Sequence, residues 1–410
     1  MSAPKSSIVT EAPRPHPSEE SNMSVYLDHA ATTPMHPLAI AAYAEALGTV
    51  GNPSSIHSAG QNAKRVLEEA RERVAATLGC EPIEVVFTSG GTESVNLAIK
   101  GLWWARQSDR PRPRLLVPAG EHHATVDAVE WLERSEGAVV TWIPLDELGR
   151  VRVDALADAL DEHDDVALVS LLWANNEVGT MQPVDEVVAL AAAHGVPVHS
   201  DAVAAYGQVP IDFAASGLAA LSVSAHKIGG PIGIGALVLS RTATVVPLIH
   251  GGGQQRQVRS GTQDAPAAVA FAVAAEQPHG AYEPLRDRLI SGVLASVPGA
   301  VLRGDPVDRL PGNAHVTFEG CEGDSLLFLL DAAGVSVSTG SACQAGIPEP
   351  SHVLLAMGLS ADAARGALRM TVGHTSTVAD VDALLAALPD AVARAGRAGY
   401  ADRDPALVPR

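Results

Sequence analysis

Candidate chemistry in this chain begins with a lysine. Lys227 lies in Ser224-Ala225-His226-Lys227-Ile228-Gly229-Gly230-Pro231, a glycine-rich turn that follows an apolar run. A lysine in a loop is ordinarily a solvated charge. One buried at a strand end loses its charge readily and becomes a nucleophilic amine, which is what Schiff-base formation requires. Asp201, in His199-Ser200-Asp201-Ala202, ends a second hydrophobic run. It reads either as a helix N-cap or as the partner of a buried cation. Thr88-Ser89-Gly90-Gly91-Thr92-Glu93 joins a strand to a helix and leaves small residues at the helix start. That pattern is either a plain capped start or a cradle of free N–H groups for a phosphate. Arg259-Ser260-Gly261-Thr262, behind His250-Gly251-Gly252-Gly253, either adds donors to a phosphate or is only a flexible glycine turn. Singly these are weak signals. Together, each at a strand end, they are the parts that bind pyridoxal phosphate: a phosphate cradle, an acid for the pyridine nitrogen and an amine for the aldehyde.

The elements that must position these residues are legible as alternation. Short apolar strands are expected at 84–88, 115–117, 139–142, 166–170, 196–200, 220–224 and 235–239. Helical periodicity marks 36–48, 60–78, a stretch from Glu93, 124–136, 154–162 and 184–194. Continuous Val/Leu/Ala strands alternating with helices imply a mostly parallel sheet covered on both faces. From about residue 275 the pattern changes to a smaller α+β unit, with a strand at 313–318 and helices at 323–333, 350–357 and 378–393.

Composition narrows the function classes. The 410 residues are 47% hydrophobic and 18% charged, ample for two or three buried cores. With 28 Lys+Arg against 47 Asp+Glu the formal charge is −19, which argues against nucleic acid and against anionic membranes as partners. Three cysteines, Cys80, Cys321 and Cys343, form no CxxC pair and imply no disulfide framework, so a reducing cytoplasm is the expected home. No apolar run has transmembrane length. Residues 1–23 carry Pro, Ser and Glu with no apolar core and read as a flexible tail rather than a signal peptide. Cys80 reads as a small packed residue and Cys321, in an acidic turn, receives no role. His122-His123 hints at metal, but no further ligand spacing completes a site, and no metal is expected.

The sequence resembles the cysteine desulfurases, within the class V aminotransferase-like, fold-type I pyridoxal phosphate enzymes. The resemblance is carried by Tyr26-Leu27-Asp28-His29-Ala30-Ala31-Thr32-Thr33-Pro34, Gly51-Asn52-Pro53-Ser54-Ser55, Phe87-Thr88-Ser89-Gly90-Gly91-Thr92-Glu93-Ser94, Glu121-His122-His123, Ala174-Asn175-Asn176-Glu177-Val178-Gly179, Ser224-Ala225-His226-Lys227, His250 to Gly253, Arg259 to Thr262 and Ser338-Thr339-Gly340-Ser341-Ala342-Cys343. These segments keep the family's order over about residues 25–375. The resemblance implies a seven-stranded, mostly parallel large domain at 36–278, and a small α+β domain combining 24–35 with 279–410. It implies that Lys227 holds the cofactor covalently, Asp201 pairs with the pyridine nitrogen, and His122 stacks on the ring and assists proton transfer. Gly91, Thr92, Ser224 and His226 would hold the phosphate, and Thr262 the phosphate of a neighbouring subunit in a homodimer. Asn176 and Arg369 would bind the carboxylate of L-cysteine. Cys343, on a small, Gly/Pro-containing loop, would take the substrate sulfur as a persulfide and leave alanine. Without the resemblance Arg369 reads as a surface arginine.

Three positions depart from the family's usual pattern. Ala204 stands where Gln commonly donates to the cofactor's 3′-oxygen, Ala225 where Gly precedes His-Lys, and His374 where Arg is frequent. The methyl of Ala225 is expected to narrow the path beside the phosphate. A lost hydrogen bond to a charged oxygen costs roughly 1.5–3 kcal/mol if nothing replaces it. Ala204 therefore keeps two rivals open: a selenocysteine lyase or other C–S lyase that has no need of Cys343, and a non-catalytic scaffold that binds a sulfur carrier. The sulfur acceptor is open between iron–sulfur assembly, tRNA or cofactor thiolation and a dedicated biosynthetic pathway.

Overall fold

The computed structural model describes residues 24–278, 281–340 and 350–401. In chain order the first half runs β1 (Val25–Tyr26), α1 (Pro37–Leu47), α2 (Ser58–Leu78), β2 (Val85–Thr88), α3 (Gly91–Ala105), β3 (Arg114–Pro118), α4 (His123–Glu136), β4 (Val139–Ile143), α5 (Val153–Glu162), β5 (Val166–Leu172) and α6 (Val184–Ala193). It continues with β6 (Val198–Asp201), α7 (Phe213–Ser216), β7 (Ala220–Ser224), β8 (Gly235–Leu239), α8 (Ala265–Ala275), α9 (Glu283–Ser296), β9 (Ala300–Leu302), β10 (Asn313–Phe318), α10 (Gly323–Ala332), β11 (Val335–Ser336), α11 (His352–Ala356), α12 (Ala361–Arg365), β12 (Ala367–Thr371) and α13 (Val378–Ala401).

Seven strands form one sheet in the order β2-β8-β7-β6-β5-β3-β4. The β3–β4, β3–β5, β5–β6 and β6–β7 pairs are parallel, and β8 is antiparallel to both its neighbours. Every residue of β5, β6 and β7 is buried, so these central strands show no alternation of buried and exposed positions. The carboxyl ends of β2, β5, β6 and β7 therefore share one edge of the sheet. That edge is where ligands gather in such folds.

One core lies between this sheet and α1, α2 and α8, with Phe271 fully buried against Phe87 and Tyr206. A second core joins Leu27 to residues of α9, β10, α10, β12 and α13. Here β10 lies between β9 and β12, antiparallel to both. Val25 and Tyr26 pair in parallel with Val335 and Ser336, which draws the amino-terminal segment onto this second unit.

The strands and helices expected from periodicity form within a few residues of their predicted bounds. The elements at 265–275, 283–296, 300–302 and 335–336 were not anticipated. The α8 run, Ala-Pro-Ala-Ala-Val-Ala-Phe-Ala-Val-Ala-Ala, is apolar all round and leaves no periodic signal to read. The last helix runs past the expected 393 to Ala401, through Pro389.

Candidate active site

Strand β7 ends at Ser224, and a single 3-10 turn, Ala225–Lys227, carries the chain off the sheet edge. That turn delivers Lys227 into a cavity of about 390 Å³ between the large sheet and the second unit. Its Nζ donates to the carbonyls of Ala30 and Ala31, the latter at 3.0 Å. Burial, with the nearby Arg369 charge, lowers the ammonium to about 8, against the pull of Asp201 and Asp28. A lysine so placed is a short step from its free-base form at neutral pH.

Asp201 closes β6 with 3% exposure. Its Oδ1 accepts the Val203 N–H at 2.9 Å, in a tight turn rather than a helix cap. Burial raises the carboxyl to about 6, and Lys227 only partly offsets it. This is a carboxylate held where a cation is wanted.

His122 is the N-cap of α4, and its Nδ1 accepts the Ala124 N–H at 3.0 Å. That bond fixes Nδ1 as an acceptor. Burial and the Lys227 charge lower the ring to about 4, so it is a neutral imidazole in the cavity wall. Gly91 and Thr92 open the 15-residue α3 and present its unpaired N–H groups. Gly90 has φ 150°, in the region that favours glycine. A Cβ on Gly91 would lie 2.7 Å from Val203 Cγ2, so any larger residue there must displace the Val203 side chain. Ser224 Oγ is buried without a hydrogen-bond partner among the described residues. His226 holds Thr32 Oγ1 through Nδ1 at 3.2 Å.

Arg369 is not a surface residue. It stands on β12 at 5% exposure, where Nη2 meets Asp28 Oδ1 at 3.0 Å and Nη1 donates to the Asn176 carbonyl at 3.0 Å. Its Nε has no hydrogen-bond partner among the described residues. Residue pattern by itself does not show this, because Asp28 lies 341 residues away, and only the resemblance places Arg369 in the site. Sequence reasoning gave no role to Glu121, whose buried carboxyl accepts the Leu172 N–H at 2.7 Å and is held well above the usual carboxylate range by burial. The Glu121-His122-His123 segment was the available signal.

Lys227, Asp201, His122, Gly91, Thr92, Ser224, His226, Asn176 and Arg369 all line this one cavity, joined by Ser338 and Gly340 of the second unit. Thr262 is exposed and does not line it. Cys343 and its loop lie outside the described residues. Ala225 corrects an expectation. Its methyl is fully buried beneath Gly230 and does not line the cavity, so it does not narrow the phosphate path. Ala204 does line the wall, with no side-chain donor. Cys80 is half-buried and pushed up to about 12, while Cys321 is buried with its thiol also raised by burial. Among the described residues no cluster of His, Cys, Asp and Glu is placed to hold a metal ion, and no helix is long and apolar enough to cross a membrane.

The donor set suits an anionic, electrophilic cofactor. An orphaned hydroxyl and a helix N-terminus await a phosphate, a buried carboxylate awaits a cation, and an amine of lowered pKa lies between. The aminotransferase class-V family model matches residues 25–384. An IscS-like cysteine desulfurase of Mycobacterium tuberculosis is 57% identical over 92% of this chain and 98% of its own length. A solved NifS-like protein superposes with a TM-score of 0.82 at 33% identity, over 91% of this chain and all of its own. A structure titled SspA in complex with cysteine gives 0.76 at 32% identity, over 85% of this chain and 99% of that one. Family membership implies pyridoxal phosphate, and the chain belongs to the class V aminotransferase family, among its cysteine desulfurases.

Proposed function

We propose that this enzyme takes sulfur from L-cysteine onto Cys343, releases alanine and passes the sulfur to an acceptor. The observation that carries the reading is the convergence of Lys227, Asp201 and the α3 N-terminus on one cavity. Pyridoxal phosphate, when bound, supplies an electron sink that acidifies the α-hydrogen and weakens the C–S bond of an attached amino acid. Lys227 holds the cofactor and, as a free amine of lowered pKa, moves the α-proton. Asp201 would keep a proton on the pyridine nitrogen. Gly91, Thr92, Ser224 and His226 would hold the phosphate, and the neutral His122 ring, in the cavity wall, would pack against the cofactor. Arg369, fixed by Asp28, and Asn176 orient the substrate carboxylate.

The Cys343 thiolate attacks the substrate sulfur. An S–S bond forms, the C–S bond breaks, and its electron pair stays on the carbon fragment, which takes a proton to become alanine. The similarity to SspA in complex with cysteine supports cysteine as ligand. Exposed Leu38, Ile40 and Leu47 on α1, with exposed Ile56 and Ile232, support burial against a second copy, where Thr262 would serve the partner's phosphate. The three cysteines and the acidic balance support a reducing cytoplasm.

The test measures alanine and sulfide from L-cysteine with wild type and Cys343→Ala. Loss of both products in the variant, with retained exchange of the α-hydrogen for deuterium, supports the reading. Undiminished turnover by Cys343→Ala would identify a lyase instead.

A further inference from the structure

The segment after Gly253 departs from ordinary backbone geometry. Gln255, Arg256 and Gln257 have φ of 48°, 59° and 65°, three consecutive side-chain-bearing residues in the left-handed region. Such residues visit that region singly, because each Cβ crowds its own carbonyl. Three in succession persist only where the surroundings over-determine them.

What holds them is the Gln255 side chain. Its Oε1 accepts the Phe87 N–H at 2.8 Å and its Nε2 donates to the Phe87 carbonyl at 2.7 Å. Phe87 lies in β2, an edge strand of the seven-stranded sheet. The amide of Gln255 thus makes the paired bonds that a neighbouring strand would make there. Arg71 fixes the amide from the other side, donating to Gln255 Oε1 at 3.1 Å and to the Val85 carbonyl at 2.6 Å. A second bolt follows four residues on. Arg259 Nε meets Glu93 Oε1 at 2.8 Å, and Glu93 Oε2 accepts the Ser89 N–H at 2.7 Å.

Both bolts land on the phosphate loop. Phe87 enters it from β2, Ser89 is within it, and Glu93 is in the first turn of α3. Gln255 and Arg259 do not line the cavity; Gln255 is bonded to Phe87 and Arg71, and Arg259 to Glu93. We propose that Gln255 and Arg259 are positioning residues for phosphate recognition, clamping the Gly253–Thr262 segment to the loop whose N–H groups receive the phosphate. The geometry of the left-handed turn is the cost of aiming the Gln255 amide at β2. The same clamp sets where Thr262 projects. The inference rests on the cavity being the pyridoxal phosphate site.

The test compares equilibrium binding of pyridoxal phosphate and of pyridoxal to the cofactor-stripped enzyme, read by the absorbance of the bound chromophore. Pyridoxal reaches the same lysine but brings no phosphate. In Gln255→Met the ratio of the two affinities is expected to fall about tenfold, the effect of losing about one net hydrogen bond, while pyridoxal affinity stays within about twofold. Arg259→Met is measured alongside, so that a folding failure of one variant leaves the other to decide. A wild-type ratio in the folded variants, or equal losses for both ligands, overturns the proposal. A wild-type enzyme that does not prefer the phosphorylated ligand overturns the cofactor site itself.

Discussion

Asp201 is built for a charge that the protein alone does not supply, and replacing it with Asn reports the consequence. In the cofactor-free enzyme burial raises its carboxyl from 3.8 to about 6. At 1.36 kcal/mol per pH unit that rise is worth about 3 kcal/mol. The sign follows from linkage. A carboxyl whose folded pKa is raised binds its proton more tightly folded than unfolded, so its stabilising contribution is full below about 4 and is lost as pH rises through about 6. Above that pH the folded state carries a buried, underpaired carboxylate. Asp201→Asn removes the charge and keeps an oxygen for the Val203 N–H. The cofactor-free variant should therefore resist urea better than wild type at pH 7.5, by up to about 3 kcal/mol, by about half that at pH 5, and hardly at pH 4. Titrating groups that do not interact with Asp201 are shared by the two proteins and cancel in the difference, whereas Lys227 and Glu121 feel its charge. Pyridoxal phosphate should reverse the order, because its protonated ring nitrogen pairs with the wild-type carboxylate alone. The assay is urea denaturation at three pH values, with and without cofactor. A cofactor-free variant less stable than wild type at pH 7.5, or a difference that ignores pH, would refute the reasoning.

Further perturbations address substrate, core and spectrum. Arg369→Lys loses the fork that spans Asp28 and the Asn176 carbonyl, so KM for L-cysteine should rise about 10- to 100-fold, as for one charged hydrogen bond, in steady-state kinetics. Phe271→Ala empties a fully buried site between Phe87 and Tyr206 and should cost about 3–5 kcal/mol in denaturant melts. Ala204→Gln places a donor on the cavity wall and should shift the bound cofactor's visible band, with an unchanged spectrum and rate counting against a role for that position. His122, lowered to about 4, should contribute no inflection near pH 6.5 to the rate profile, which a pH series of kcat/KM checks.

Much of the site was legible because its parts are local. Buried central strands are mostly apolar, and the residues at and just past their carboxyl ends fall on the ligand edge of the sheet. Lys227, Asp201, Ser224 and the Gly91–Thr92 helix start were therefore placed by sequence position and residue type. Helices with one apolar face were equally readable, whereas the all-apolar α8 had no period to show. The tertiary structure decided what depends on partners remote in the chain. Arg369 became a buried, oriented cation only when β12 folded against Asp28. The methyl of Ala225 turned beneath Gly230 and away from the cavity. Gln255 and Arg259, in a stretch that reads as a loose glycine turn, became the clamp on Phe87 and Glu93. A sequence pattern reports how often a side chain faces the core. It does not report which distant group that side chain meets, because that is fixed by how whole elements pack.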